Sequence, residues 1–257
     1  MKVSIITPTF EREHFAEKLY GCFAAQSFPD KELLVLDDSP EPSPFFTNCG
    51  DPRVRYWHQQ TRMANGQKRN ILAGRATGEV IAHFDDDDYY APPYIETMVQ
   101  LLAGHDLISL SGWYLYSLKH RFFGYWDKAN PQQEHYELSP EGLRHLMFKG
   151  VTPETVFAHV LGYGFTYVYR KQAWEGVSFD DAHHGSDFRF AQALLAQGRD
   201  IATFQDQQAL VLHTISTNNV SAVFPQYQLP DFLLPMIFGE GIRRYLDVKL
   251  PGEQDQP

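Results

Sequence analysis

Residues 78–92 read GEVIAHFDDDDYYAP and combine a strand-like run with a dense block of charge. Residues 80–84 are largely apolar, which predicts a strand buried on both faces, as in a parallel sheet. Four aspartates follow directly at positions 85–88, and we call them the aspartate run. Pro92 and Pro93 then start a helix, because proline is favoured in the first helical turn. The stretch therefore predicts a buried strand whose carboxyl end carries several negative charges.

Upstream of this stretch, apolar strands alternate with helical segments. Residues 3–7 (VSIIT) and 32–36 (ELLVL) are short apolar runs, and residues 15–23 between them place apolar side chains on one helical face. A strand at 54–57 and a helix at 68–76 follow. We therefore predict an α/β fold with an open parallel sheet, helices on both faces and ligands at the carboxyl ends of the strands.

Beyond about residue 106 the alternation becomes less regular. Strands are predicted at residues 107–115, 165–170 and 209–213, and a helix at 188–197. The second part of the chain is therefore also expected to contain both strands and helices, in an order that the pattern alone does not define.

The composition limits the partners and the compartment. The formal net charge is −10 over 257 residues, which argues against a nucleic-acid partner because phosphate contacts require clustered Lys and Arg. Cys22 and Cys49 stand outside any metal-ligand spacing, which fits a reducing compartment. The sequence has no signal-peptide pattern and no apolar stretch of about 20 residues. We expect a soluble cytoplasmic protein, or one that works at the inner face of the membrane.

The aspartate run points to a bound cation. Adjacent carboxylates repel one another, and Mg²⁺ or Mn²⁺ offsets that repulsion through carboxylate oxygens. If the run is extended, Asp85 and Asp87 point to one side and form a site open to diphosphate oxygens, whereas Asp86 faces away. Asp88 lies near the start of the next helix. The alternative is a solvated acidic turn that caps this helix.

Four segments together resemble family 2 glycosyltransferases. They are VSIITPTFERE (3–13), QSFPDKELLVLDDSP (26–40), NGQKRNILAGRATGE (65–79) and GEVIAHFDDDDYYAP (78–92), and they occur in the family's order. The last segment stands where the family has its D-x-D motif. The resemblance implies a GT-A fold, with a Rossmann-like, mostly parallel sheet flanked by helices and an acceptor-binding second half.

The resemblance also implies a division of the chain within one continuous domain. We expect a nucleotide-sugar-binding half at residues 1–105, an acceptor-binding and catalytic half at 106–222 and a C-terminal tail at 223–257. The tail mixes proline with large apolar side chains. We expect it either to cover the acceptor cleft, to form a dimer contact or to make peripheral membrane contact. The sequence leaves these three alternatives open.

Positions in the family's motifs suggest how the nucleotide is held. By this resemblance Thr7, Pro8 and Thr9 line the base pocket. Asp37 contacts the base, a uracil or another pyrimidine imide, and Asp38 contacts the ribose. For an aspartate pair after a strand, capping of a turn is the more common role, so that alternative stands beside the functional one.

The resemblance assigns further residues to the nucleotide and the metal. Arg69 matches the family arginine near the nucleotide, and Lys68 is a candidate for neutralising the negative charge of the phosphates. Asp85 is expected to contact ribose or metal, Asp86 to belong to the nucleotide site and Asp87 to ligate the metal. The alternative for Lys68 and Arg69 is a solvated helix face.

HHGSDFRFAQALLAQG (183–198) resembles the family block that contains the catalytic aspartate. Asp187 matches this aspartate, which would take the proton from the acceptor hydroxyl. Ser186 stands in place of the family's Glu, and the expected helix arginine is missing. The alternative role of Asp187 is a helix N-cap. His183 and His184 are weaker candidates for contact with acceptor or phosphate.

LVLHTISTNN (210–219) resembles the segment where many GT-A enzymes place a histidine ligand to the metal or the diphosphate. His213 is the residue concerned. Imidazole suits Mn²⁺ better than Mg²⁺. The alternative is a structural histidine at the end of a strand.

These expectations combine into an inverting, metal-assisted hexosyltransferase. The donor is a nucleotide-diphospho-sugar, UDP-linked by preference, and the acceptor is a glycan, a lipid-linked sugar or a small molecule. A non-catalytic sugar-nucleotide or glycan-binding module on the same fold is the alternative, suggested by Ser186. A nucleotidyltransferase is less favoured, because its Gly-rich, Arg-containing loop after the first strand is replaced here by TPTFERE.

Overall fold

The computed structural model describes residues 1–130, 134–139, 142–147, 152–182, 185–216, 222–225 and 228–247. Its strands are β1 (Val3–Thr9), β2 (Lys31–Asp37), β3 (Val54–His58), β4 (Val80–His83), β5 (Tyr89–Tyr90), β6 (Leu107–Ser117), β7 (Phe122–Asp127), β8 (Glu134–Ser139), β9 (Gly142–Met147), β10 (Val168–Arg170), β11 (Ile201–Gln205), β12 (Val211–Ile215) and β13 (Ala222–Pro225). Its α-helices are α1 (Glu13–Ala25), α2 (Pro44–Thr47), α3 (Asn65–Arg75), α4 (Tyr94–Leu101), α5 (Pro153–Val160), α6 (Lys171–Gly176), α7 (Ser186–Ala196), α8 (Leu233–Phe238) and α9 (Ile242–Leu246).

One large sheet carries most of the strands, in the order β3-β2-β1-β4-β10-β6-β12-β5, with β7 and β11 also paired to β6. The first four strands along the chain run parallel, as predicted. β10 lies antiparallel to both β4 and β6, so the whole sheet is mixed. β8, β9 and β13 form a separate sheet. The α/β prediction is confirmed, and the large sheet extends through both predicted halves.

The first strand-helix-strand unit forms because its apolar residues fall on buried faces. All seven residues of β2 are buried. The four apolar side chains that the spacing placed on one face of the first helix, the large Phe15, Leu19 and Phe23 and the smaller Cys22, are buried in α1. Burial of a large apolar side chain contributes about 1.5–3 kcal/mol, so these contacts hold α1 against the sheet.

Two of the strands predicted in the second half differ in the structure, one in its secondary structure and the other in its first residue. The segment at 165–170 is a short 3-10 helix (Gly164–Thr166) followed by the three-residue strand β10. The strand predicted at 209–213 begins only at Val211. The Asp206 carboxylate accepts hydrogen bonds from the amides at positions 208, 210 and 211, and this holds the preceding segment as a loop.

The helices of the C-terminal tail pack against the sheet domain. Leu234, Ile242 and Leu246 are buried in an apolar cluster with side chains of α1, β6, β7 and β12. Residues 226–227 and 248–257 of the predicted tail lie outside the described residues. In the described parts of the chain, no helix has the length and apolar character needed to cross a membrane.

Candidate active site

The carboxyl ends of β1, β2 and β4 meet at one edge of the sheet, where ligands of such sheets bind. A cavity of about 320 Å³ opens there. Thr9, Asp37 and Asp86 line it, together with the first half of α1, the loop of residues 39–43 and helix α2. Thr7 and Pro8 are not part of this lining, and the Thr7 hydroxyl donates to the Phe84 carbonyl at 2.9 Å. A base contact by Thr7, Pro8 or Thr9 stays a prediction.

Asp37 is a buried residue of this lining, and hydrogen bonds fix its carboxylate. One oxygen accepts from the amide at 2.9 Å and from the hydroxyl of Ser39, and the other accepts from the Tyr56 hydroxyl at 2.7 Å. Tyr56 stacks on Phe46, with ring centroids 5.6 Å apart, and Phe46 also lines the cavity. A carboxylate offers about four acceptor positions. Asp37 therefore keeps one position for a donor such as an imide N–H.

Asp38 and Lys68 form a buried ion pair outside the cavity lining. Lys68 Nζ lies 2.7 Å from Asp38 Oδ1 and donates to the Thr9 carbonyl at 2.9 Å, while Arg62 Nη1 lies 2.6 Å from Asp38 Oδ2. Burial alone would raise the pKa of Asp38, but the hydrogen bonds from Lys68, the amide of residue 63 and Arg62 lower it. These contacts hold the turn after β2 against α3. A ribose contact by Asp38 and a phosphate contact by Lys68 stay predictions.

The aspartate run forms a turn, so the predicted alternation along an extended strand is wrong. β4 ends at His83, and the chain turns at residues 86–87 before β5. The Tyr90 hydroxyl holds this turn, because it accepts from the Asp85 amide at 2.9 Å and donates to the carbonyl of residue 165. Asp86, expected to face away, instead lines the cavity and accepts a hydrogen bond from Thr9.

Asp88 is buried in the structure and does not cap the next helix. Its carboxylate accepts from the Thr214 amide at 2.8 Å and contacts His213 Nδ1 at 2.9 Å. Burial lowers the pKa of His213, but Asp88, together with Asp87 and Asp85, outweighs this and raises it to about 9. A histidine whose Nδ1–H is held by a carboxylate presents Nε2 in a fixed direction, as metal-ligating histidines do. At this pKa the imidazole is protonated near pH 7, so Nε2 is a donor suited to a diphosphate oxygen, and ligation of a metal requires loss of that proton. The predicted contact of His213 with metal or diphosphate stays a prediction.

The negative charge of the run is only partly balanced by arginines. Burial and the neighbouring aspartates raise the pKa of Asp87 well above its ordinary value, although Arg12 lies 3.1 Å away. Burial raises the pKa of Asp85 to about 7, against the opposing effect of Arg69 at 4.0 Å. Carboxylate oxygens with unbalanced charge fit a hard cation such as Mg²⁺ or Mn²⁺. Within the described ranges, no group of three or more His, Cys, Asp or Glu side chains is placed to hold a metal, so ligation by Asp85 and Asp87 stays a prediction.

Arg69 connects the aspartate run to Asp187. Its Nη1 lies 2.7 Å from Asp187 Oδ1, and its Nη2 lies 4.0 Å from Asp85 Oδ1. The side chains of Arg69 and Asp187 are only 8% and 18% exposed, so water screens this pair weakly. Burial raises the pKa of Asp187, and Arg69 opposes that rise. One buried guanidinium thus contacts carboxylates that stand more than 100 positions apart in the sequence.

Asp187 lies in the first turn of α7 but does not cap the helix. The N-cap is Gly185, whose φ of 69° is a left-handed conformation that glycine adopts readily, so the capping alternative is wrong. Gly164 passes so close that a Cβ on it would lie 2.3 Å from Asp187 Cγ. Ser186 is buried and accepts a hydrogen bond from Arg69 at 3.3 Å. His183 and His184 lie outside the described residues.

Three side chains at the site were not singled out in the sequence. Arg12 donates to the Asp87 carboxylate and to the Ser216 hydroxyl across the site. Arg12 could have been predicted from the sequence, because it belongs to the TPTFER turn that carries the family resemblance. Arg62 and Tyr56 bind aspartates 24 and 19 positions away, and no local pattern indicates such pairings.

Comparison with known proteins gives the family. The profile of Glycosyl transferase family 2 matches residues 4–162, which is more than half of the chain. The chain belongs to this family. It is 34% identical over 105 residues to the GalNAc(5)-diNAcBac-PP-undecaprenol beta-1,3-glucosyltransferase of Campylobacter jejuni, covering 38% of this chain and 34% of that protein. It is 25% identical over 114 residues to the UDP-Glc:alpha-D-GlcNAc-diphosphoundecaprenol beta-1,3-glucosyltransferase WfgD of Escherichia coli. This match covers 44% of this chain and 45% of that protein.

Several solved structures have a similar fold, and two of them were determined with a nucleotide-sugar. S. aureus TarS 1-349 in complex with UDP-GlcNAc superposes with a TM-score of 0.63 at 19% identity, over 86% of this chain and 60% of that one. Mannosyltransferase PcManGT from Pyrobaculum calidifontis, in complex with GDP-Man and Mn2+, superposes with a TM-score of 0.60 at 15% identity. The superposition covers 85% of this chain and 58% of that one. The chain spans less than two thirds of the length of each of these four proteins. The similarity confirms the GT-A type of fold.

Proposed function

We propose that this chain is an inverting glycosyltransferase that moves a hexose from a nucleotide-diphospho-sugar, UDP-linked by preference, to an acceptor hydroxyl, with the help of Mn²⁺ or Mg²⁺. Asp187 is the proposed general base. The observation that carries the proposal is Arg69, which lies between Asp85 and Asp187. The proposal rests on this single guanidinium, which lies within 4.0 Å of one carboxylate of the proposed donor side and within 2.7 Å of the proposed base.

The donor base is proposed to occupy the cavity beside Asp37. Asp37 keeps one acceptor position, and Phe46 gives the same cavity an aromatic surface. Both features suit a flat imide such as uracil. The fold similarity to TarS 1-349 with UDP-GlcNAc supports a uridine nucleotide, whereas PcManGT with GDP-Man makes guanine the rival base.

The proposed chemistry uses Asp187 and Arg69 on the acceptor side. Asp187 takes the proton from the acceptor hydroxyl while that oxygen attacks the anomeric carbon from the face opposite the leaving diphosphate. Arg69 favours the ionised form of Asp187, which burial alone would make less acidic. A divalent cation held by Asp87, with Asp85 and His213, would neutralise the charge that develops on the departing diphosphate.

The acceptor is proposed to be a lipid-linked sugar. The C. jejuni and E. coli relatives are named for undecaprenol-diphosphate-linked acceptors, and this is the support for the class. Such an acceptor is held in a bilayer, so the enzyme would work at the inner face of the membrane. A soluble glycan or small molecule is the rival acceptor.

A non-catalytic binding module is the alternative function, and Ser186 is the feature that suggested it. The Ser186 side chain is buried and accepts from Arg69, while Asp187 keeps its ion pair with the same arginine. The exchange of Glu for Ser therefore leaves the proposed base in contact with its partner. This arrangement favours the enzyme over the binding module.

Calorimetric titration of UDP with and without Mn²⁺ tests the donor site. Asp87→Ala is expected to lose the Mn²⁺-dependent part of UDP binding, because Asp87 is the proposed ligand. Asp200→Ala is the matched control, since this aspartate is 62% exposed and pairs with His105 away from the site. Unchanged Mn²⁺ dependence in Asp87→Ala would contradict the assignment. Slow hydrolysis of a UDP-sugar without acceptor separates the enzyme from a binding module, which would release no sugar.

A further inference from the structure

His83, the last residue of β4, is a buried histidine that has no part in the proposed chemistry. Its side chain lies among the rings of Tyr167, Tyr169 and Phe179 and is 1% exposed. Nδ1 lies 2.9 Å from the carbonyl oxygen of Gly164, and Nε2 lies 3.4 Å from the Tyr169 hydroxyl. A carbonyl oxygen can only accept, so Nδ1 carries a hydrogen and donates it. The imidazole therefore fixes the carbonyl of one particular glycine.

The same histidine holds the short 3-10 helix Gly164–Thr166 near both of its ends. The His83 amide donates to the Tyr167 carbonyl at 2.9 Å, and its imidazole donates to the Gly164 carbonyl. The Tyr167 amide donates to the Gly164 carbonyl as well, at 3.1 Å. The Tyr167 hydroxyl donates in turn to the backbone carbonyl of Asp187 at 3.3 Å. Residues 164–167 are therefore anchored to the end of β4 and contact the first turn of α7.

The Asp187 side chain lies directly against the glycine that His83 holds. A Cβ on Gly164 would lie 2.3 Å from Asp187 Cγ, so the carboxylate packs on the Gly164 Cα. Burial raises the pKa of Asp187, and Asp180 adds to the rise. Arg69 and a hydrogen bond from the Gly164 amide act in the opposite direction. Further titratable groups that interact with this carboxylate are Asp85, Tyr167 and Tyr169.

We propose that His83 is a positioning residue for the general base, because its hydrogen bond to the Gly164 carbonyl fixes the backbone on which the Asp187 carboxylate rests. The inference rests on the proposed role of Asp187 and adds a second anchor to Arg69. Without the Nδ1–H donor, the Gly164 backbone should move away from Asp187. The amide hydrogen bond that favours the ionised carboxylate would then weaken.

A matched pair of variants separates the donor from the bulk of the side chain. His83→Asn and His83→Leu both branch at Cγ, and only asparagine places an N–H near the position of Nδ1. In His83→Leu the acid limb of acceptor-free UDP-sugar hydrolysis should move to higher pH by about one unit. In His83→Asn it should stay at the wild-type pH. His83→Gln replaces the leucine variant if that protein does not fold, because its amide nitrogen stands near the position of Nε2.

Two controls exclude a general effect of core packing. Tyr169→Phe removes the hydroxyl beside Nε2, and Ile81→Val trims a buried side chain of β4 in the same apolar cluster. Both should lower the melting temperature and leave the acid limb in place. A His83→Leu rate that falls equally at every pH, or a His83→Asn limb that moves with it, would overturn the proposal. So would an equal loss of UDP affinity in calorimetry, since His83 would then support the aspartate run.

The pKa of Asp187 can also be measured without turnover. The NMR shift of its carboxyl carbon, assigned by its absence in Asp187→Asn, should titrate about one pH unit higher in His83→Leu than in the wild type. An unchanged titration, with Asp187→Asn inactive, refutes the positioning role alone. Wild-type turnover in Asp187→Asn refutes the proposed base, and the positioning role falls with it.

Discussion

Replacing Arg69 by methionine removes the positive charge between Asp85 and Asp187 while keeping most of the side-chain volume. Asp187 is largely enclosed, and its pKa is already raised by burial. An arginine beside an aspartate lowers the aspartate's pKa by about 1 to 3. Arg69→Met is therefore expected to raise the pKa of Asp187 by about that amount, because the ion pair at 2.7 Å is lost.

The direction of the pH effect follows from the proposed role. A general base works in its ionised form, so activity is lost as the pH falls through the pKa of Asp187. In Arg69→Met the acid limb of the pH-rate profile should move to higher pH by about 1 to 3 pH units, with a fall of about tenfold in rate for each unit below the new pKa. Activity should recover in part at alkaline pH. Arg69→Lys should show a smaller displacement, because lysine keeps the charge but not the forked geometry.

Initial rates of acceptor-free UDP-sugar hydrolysis across pH measure this effect without knowledge of the acceptor. Arg75→Met is the matched control, since Arg75 lies on the same helix with its guanidinium over Trp57, 4.4 Å from the ring centroid. The control should keep the wild-type profile. If Arg69→Met lowers the rate equally at every pH, the arginine only supports the fold and the reasoning about Asp187 fails.

Three further predictions concern the base and its surroundings. Asp187→Asn should abolish UDP-sugar hydrolysis and leave UDP affinity in calorimetry nearly unchanged; wild-type turnover would exclude Asp187 as the base. Gly164→Ala should cost about 100-fold in rate, because its Cβ would displace Asp187, whereas Gly162→Ala, with its nearest contact at 3.3 Å, should be mild. Against the effect of burial, Asp88 with the help of Asp87 and Asp85 raises the pKa of His213 from 6.5 to about 9, so the stabilisation from the charged Asp88–His213 pair is complete below pH 6.5 and lost as the pH rises through 9. Melting temperatures of wild type and Asp88→Asn should therefore converge between these values, and a constant difference would count against the pair.

The strands and α1 could be predicted from the sequence because their signals are local. The apolar runs of β1, β2 and β4 are buried on both faces, and turn residues follow each of them. The convergence of Asp37 and the aspartate run also follows, since parallel strands end at the same edge. The family motifs then place Asp187 near this edge, although no periodicity links α7 to β4.

The orientation of individual aspartates could not be predicted in the same way. Asp85, Asp86 and Asp88 take directions set by Arg69, Thr9 and His213, which come from distant parts of the chain. Successive side chains alternate between two faces only along an extended backbone. Here the Tyr90 hydroxyl accepts from the Asp85 amide, and the chain turns after β4. Long-range hydrogen bonds of this kind override local pattern, and a single sequence does not encode them in any spacing.

The three-residue strand β10 hydrogen-bonds to β4 on one side and to β6 on the other. The strands before residue 105 and those after it are thus hydrogen-bonded neighbours in one sheet. A gene cut near residue 105 would leave each fragment with a bare, apolar strand edge, which invites aggregation. The chain should therefore melt in a single cooperative transition, and variants of the proposed donor and acceptor residues should be compared in the whole protein.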